Sequence, residues 1–241
     1  MRWTHPVTIP TVCLAGRAKG LARERTTFME LFFSPLACSM AARIALYETE
    51  APVTFVEVDP VTKRTNDGAD YREVHALGLV PALRTDDGAV LTENAAILQY
   101  VADRFPAAGL APQDPAGRTS LHQWLSFIGT ELHKTTFAPQ FDRTASDAVK
   151  AYALSKAGPR LDLLDRHLRG RESLLDRFSV ADAYLATVLT WTAATPIDLG
   201  KWPAVAAYFA HVRKRPSIAR AFREERPLYV KELERTSTAS P

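Results

Sequence analysis

The chain has 241 residues, 46% of them hydrophobic, and a formal net charge of +3 at pH 7. That length can bury one large core or two moderate ones, and no apolar run reaches the length of a membrane span. Residues 1–28 hold five basic side chains against Glu24, which leaves 25 basic and 26 acidic residues of the totals of 30 and 27 for the rest; a near-neutral body argues against nucleic acid as a partner.

The first 28 residues match no processing signal well. Val7 to Ala15 is apolar but interrupted by Pro10, and no A-x-A site follows. The arginine content is that of a transit peptide, yet the simplest account is a true start at Met29, so residues 1–28 are read as a leader outside the fold. A strand over 30–33 then meets the turn Ser34-Pro35. Met40, Ile44, Ala45 and Tyr47 recur at helical spacing and predict a helix over 38–49. Cys38 sits at this junction, where unpaired N–H groups and the helix dipole would favour a thiolate. The alternative is a small buried hydrophobe. Cys13 and Cys38 alone make no disulfide framework and no zinc-ligand spacing, which suits a reducing, cytoplasmic compartment.

A second strand is predicted over 53–58, and the loop from Asp59 brings Lys63 towards the Cys38 face. A helix over 70–76 follows. In Gly78-Leu79-Val80-Pro81-Ala82-Leu83 the proline at a strand entrance predicts a cis bond, leaving the Val80 N–H and C=O free to pair with an extended peptide. Asp86-Asp87-Gly88 is a hairpin turn between strands over 82–84 and 89–91. Thr92-Glu93-Asn94 opens a helix over 93–104, where helix-end donors suit a carboxylate and Glu93 an ammonium. Capping by Thr92 with dipole compensation by Glu93 explains the same residues. The α/β region thus spans 29–107. A proline-spaced linker at 108–114 leads to an all-α region, 115–241, with helices over 116–140, 145–169, 179–192, 203–214 and 216–223 and a frayed tail after about 224. Ser179 and Asp182 form a capping box with a folding role. Thr130, His133 and Lys134 share a helix face near Trp124 and Phe127, with Ser126 on the same surface; such a histidine is either packed or cleft-facing.

The order of strand, Ser-Pro-x-x-Cys-Ser helix start, Val-Pro-Ala-Leu, Asp-Asp-Gly and Leu-Thr-Glu resembles the thioredoxin-like N-terminal domain of glutathione S-transferases. With Glu131-Leu132-His133-Lys134 the chain looks like the bacterial beta class, from about Met29 to about Arg223. The resemblance implies a thioredoxin-like α/β domain followed by an all-helical domain. It implies a cysteine, Cys38, that contacts or bonds to the sulfur of glutathione, with His133 nearby. Lys63, Val80, Glu93, Asn94, Ser126, Thr130 and Lys134 would hold the rest of the tripeptide. Asn94 stands where Ser or Gly is usual, and Ser126 where an amide is usual.

Glutathione is expected as co-substrate, without a metal, and a small hydrophobic electrophile would lie against Phe137, Phe141 and Trp191. A detoxifying homodimer with no nucleic-acid or membrane partner is implied as well. Three activities fit: conjugation to electrophiles, thiol–disulfide or dehalogenation chemistry through a Cys38 mixed disulfide, and non-catalytic binding.

Overall fold

The computed structural model describes residues 29–238, so the expectations for the leader and Cys13 lie outside the described residues. Strand β1 (Met29–Phe33) runs inside a four-stranded sheet of order β2-β1-β3-β4. Strand β2 (Val53–Glu57) pairs with it in parallel, β3 (Ala82–Arg84) antiparallel, and β4 (Val90–Thr92) closes the sheet against β3. Both faces of β1 are covered. Because neighbouring side chains point to opposite faces, Leu31 packs into the main core with helices α1 (Met40–Thr49) and α2 (Asn94–Arg104). Phe32 faces the smaller cluster of Val58, Tyr71 and Ala82.

One helix expectation of the first half shifts. The predicted helix over 70–76 is a single 3₁₀ turn, Tyr71–Glu73, capped by Asp70. Tyr71 is fully buried and its hydroxyl donates to the Leu79 carbonyl at 2.8 Å, which folds the segment back before a helix can extend. Gly78 follows at φ 59, where a side chain would be strained and its Cβ would crowd the Lys63 stem at 3.0 Å. The Val80–Pro81 bond is cis, as the strand-entrance proline predicts.

The second half is helical: α3 (Pro115–Phe127), a π-helix (Ile128–Phe137), α4 (Ala138–Phe141), α5 (Asp147–Ser155), α6 (Ala157–Leu168), α7 (Val180–Thr190), α8 (Pro203–Val212) and α9 (Pro216–Thr238). The stretch expected over 116–140 therefore carries ten residues of π register, in which the Thr135 and Thr136 hydroxyls also donate to carbonyls five residues back. The helix expected over 145–169 breaks at Lys156. Pro159 has no N–H for the carbonyl four residues earlier, so the chain restarts as α6. The tail expected to fray after about 224 is instead the second half of α9. It is held at Glu224 and Glu225 by Arg43 of α1, and near its end Arg235 reaches Glu57 at 3.7 Å.

Helix α7 is buried over Val180–Leu189 and forms the centre of the second half. At its start the Asp182 carboxylate accepts from the Ser179 N–H at 2.9 Å, the Leu174 N–H at 2.8 Å and the Tyr208 hydroxyl at 2.9 Å, in keeping with the folding role assigned to this capping box. The main core runs as one continuous cluster from Met29 of β1 to Ala221 of α9.

Candidate functional site

The loop from Ser34 to Ser39 delivers Cys38 to the end of the sheet. Ser39 fixes its inner side, donating to the Ser34 carbonyl at 3.2 Å, while Ser34 donates to the Val58 carbonyl at 2.6 Å. Cys38 is half-buried, and its thiol donates to the Val80 carbonyl at 3.2 Å. The Val80 carbonyl thus already accepts one bond, from the thiol, and keeps a second lone pair.

A thiolate of Cys38 itself is not favoured by these surroundings. Burial pushes the Cys38 thiol up to about 11, and the charge of Lys134 with the N–H groups of Cys38 and Ser39 only partly opposes this. Helix α1 begins two residues later, at Met40. Free Cys38 is thus a protonated hydrogen-bond donor at neutral pH. A thiol in that state can point its proton at a sulfur anion placed beside it.

His133 supplies no positive field at neutral pH. Burial lowers it to about 4, with the neighbouring Lys134 acting in the same direction, so the ring is neutral at pH 7. Its Nδ1 lies 2.7 Å from the Tyr184 hydroxyl, and its ring packs edge-on against Trp191, with centroids 5.0 Å apart. Tyr184 is the residue that spacing could not reveal. Its phenol is held neutral chiefly by burial, and it lies beside Asn94, so it links the histidine to the first half of the chain. A buried tyrosine usually has a polar partner, but nothing in the sequence says which.

Asn94, the first residue of α2, is only 7% exposed, and neither atom of its amide has a hydrogen-bond partner. The Tyr184 hydroxyl lies beside it. Before it, Glu93 takes φ 66, ψ 116, a backbone conformation rare for a non-glycine residue, and makes no cap bond. Plain capping by Thr92 does not describe this helix start. Glu93 is exposed, and its charge also acts on Cys38 and Tyr184.

Cys38, Val80, Glu93, Asn94, His133 and Lys134 thus converge through these contacts and fields. The Lys63 stem crosses Gly78, two residues before Val80, and burial and the nearby Arg72 lower its ammonium pKa. Ser126 and Thr130 stand apart. Both are exposed, and the Thr130 hydroxyl donates to the Ser126 carbonyl at 2.9 Å. The π register begins between them, so spacing by three or four no longer keeps them on the face of His133. Trp191 gathers the aromatic wall expected of an apolar pocket, with ring centroids of Phe137 at 5.8 Å and Phe141 at 5.9 Å.

Among the described residues no three His, Cys, Asp or Glu side chains are grouped to hold a metal ion, and no helix is long and apolar enough to cross a membrane.

Residues 37–104 match the model of the glutathione S-transferase N-terminal domain, and residues 136–211 that of the C-terminal domain. The chain is 38% identical over 199 residues to glutathione S-transferase GstA of Escherichia coli O157:H7, covering 82% of this chain and 98% of the relative. It is 35% identical to glutathione S-transferase GST-4.5 of Xanthomonas campestris, with the same coverage. Among solved structures, a sphingomonad glutathione S-transferase complexed with glutathione is 44% identical, with a TM-score of 0.77 over 81% of this chain and 98% of that one. A beta class glutathione S-transferase of Sphingomonas chungbukensis is 43% identical, with a TM-score of 0.78 over the same shares. With its strand order, its helical second half and both domain models in agreement, the chain belongs to the glutathione S-transferase family.

Proposed function

We propose that this enzyme binds glutathione against Cys38, Val80, Glu93 and Asn94 and conjugates it, through its sulfur, to small hydrophobic electrophiles. The observation that carries the reading is the buried, unpartnered Asn94 amide beside a thiol donor and an exposed acid. A ligand with a carboxylate, an ammonium and a thiol satisfies all three. Glu93 takes the α-ammonium, Asn94 and the start of α2 take a carboxylate, the Val80 backbone runs beside the cysteinyl unit, and Lys63 meets the other carboxylate.

In the reaction the glutathione thiolate attacks the electrophilic carbon, a sulfur–carbon bond forms, and the leaving group departs with its electron pair. Cys38 donates its S–H proton to the thiolate as a hydrogen bond, and Lys134 supplies positive charge. Neutral His133 and Tyr184 shape the wall against which the electrophile lies, with Phe137, Phe141 and Trp191. Ser126 and Thr130 serve at the rim, where only a larger ligand reaches them. A cytoplasmic homodimer acting in detoxification, without a metal, fits this reading.

The lack of a second described cysteine beside Cys38 favours one further reading, in which the Cys38 thiolate attacks the glutathione sulfur of a glutathionylated disulfide substrate and expels the substrate as its thiolate; a second glutathione thiolate then attacks the resulting Cys38–glutathione disulfide, leaving as oxidised glutathione and returning the Cys38 thiolate.

Calorimetry with millimolar glutathione tests the proposal. Glu93→Ala is expected to weaken binding by about 1–3 kcal/mol. Folded wild-type protein giving no heat, and no turnover of an aryl halide, would overturn it.

A further inference from the structure

The Cys38 loop is gripped from outside the site. Leu36, two residues before Cys38, holds φ 55, a left-handed conformation that a branched residue seldom adopts unless its surroundings impose it. Both of its backbone groups are bonded to the second half of the chain. The Leu36 N–H donates to Glu225 Oε2 of α9 at 2.7 Å, and its carbonyl accepts from Trp191 Nε1 at 2.8 Å.

Glu225 is 0% exposed, so its placement there is costly without partners. Its other oxygen faces Arg43 Nε at 2.9 Å, an ion pair that lacks aligned hydrogen-bond geometry. The Arg43 guanidinium is stacked between the rings of Phe33 and Phe55, at 4.1 and 4.2 Å from their centroids. A buried ion pair adds little net stability, whereas the bond to a strained backbone N–H fixes a position.

We propose that Glu225 is a positioning residue for Cys38: from α9 it clamps Leu36 in its left-handed conformation, against the pull of Trp191 on the other side, and so sets where the thiol stands relative to Val80. The importance of that position for turnover rests on the proposed function above. The position itself does not.

The test compares Glu225→Leu, which loses the acceptor, with Glu225→Gln, whose amide oxygen can still accept the Leu36 N–H. Alkylation of Cys38 by iodoacetamide, followed by intact mass, needs no glutathione. Glu225→Leu is expected to react at least 5-fold faster than wild type, because the released thiol leaves Val80 for solvent, and Glu225→Gln to stay within 2-fold. Conjugation of an aryl halide should follow the same pattern, with kcat falling at least 10-fold in Glu225→Leu and recovering in Glu225→Gln.

Equal alkylation rates in all three proteins would overturn the proposal. So would equal acceleration in both variants, since that would assign the effect to the Arg43 ion pair. If Glu225→Leu does not fold, Trp191→Phe removes the opposing bond to Leu36, and an alkylation rate unchanged from wild type would refute the clamp. Absence of turnover in wild type would sink the proposed function and leave the alkylation comparison intact.

Discussion

The Cys38 thiol and the Val80 carbonyl face each other across 3.2 Å, joining the loop before α1 to the residue that precedes the cis proline. A ligand whose backbone lies along Val80 therefore meets the sulfur at the same point. Cysteine chemistry at this site should map to one residue. Oxidised protein incubated with glutathione should carry one adduct by intact mass, lost in Cys38→Ser and kept in Cys13→Ser. Conjugation should survive in part in Cys38→Ser, because a hydroxyl still donates. An adduct on Cys13 would place the chemistry elsewhere.

Lys134 and His133 are adjacent, yet they should affect the thiol differently. Lys134 acts on Cys38 as a charge, whereas His133 is neutral above about pH 5. Lys134→Gln should slow alkylation of Cys38 at pH 8 by roughly 2–5-fold, the effect of about 0.5–1 kcal/mol of lost charge interaction. His133→Asn should change it less than 2-fold. The reverse order would restore the histidine as the thiol's electrostatic partner.

Two buried groups should shape stability in opposite directions with pH. His133, lowered from 6.5 to about 4, is protonated first in the unfolded chain, so its contribution is lost as pH falls from 6.5 to 4. Glu225 is raised from 4.5 to about 7 by burial, against the attraction of Arg43 and the Leu36 N–H and aided by Glu224 and Glu57. It keeps its proton longer when folded, so its contribution is lost as pH rises from 4.5 to 7. Each displacement corresponds to roughly 3 kcal/mol at most, and the two nearly cancel between pH 4.5 and 6.5. Urea midpoints should expose the hidden slopes. His133→Gln should lose stability as pH rises through that window, and Glu225→Gln should gain it. Parallel curves for both variants and wild type would reject the assignment.

The shared apolar cluster predicts cooperative unfolding of the two halves. Residues 29–107 expressed alone should lack a sharp thermal transition, because Leu31, Ile44 and Ile97 belong to a core completed by α7. Two well-separated calorimetric peaks for the full chain would show that the halves unfold independently.

Much of the fold is legible in the sequence because the signals are local. The strand at Met29, the Asp86-Asp87-Gly88 turn and the Ser179–Asp182 capping box each depend on neighbours within a few residues. The 70–76 segment misleads, since burial of Tyr71 against Leu79 overrides a helical pattern, and the extent of α9 depends on Arg43, far away in the chain. In the site, Cys38, Val80 and Asn94 are legible as positions but not as states. A thiol's protonation follows from enclosure, and enclosure is a property of the assembled halves. Helical spacing of three or four does not carry Ser126 and Thr130 onto the face of His133, because the register becomes π between them. Tyr184, Leu36 and Glu225 leave no local mark at all.

Trp191 joins the cysteine loop to the aromatic wall, with its indole N–H on the Leu36 carbonyl and its ring against His133, Phe137 and Phe141. Indole emission responds to the hydrogen bond at its nitrogen and to charge near its ring. The protein therefore carries a built-in optical reporter at the meeting point of the cysteine loop and the aromatic wall, so that occupancy of the cleft and release of the loop can be followed by light without any label.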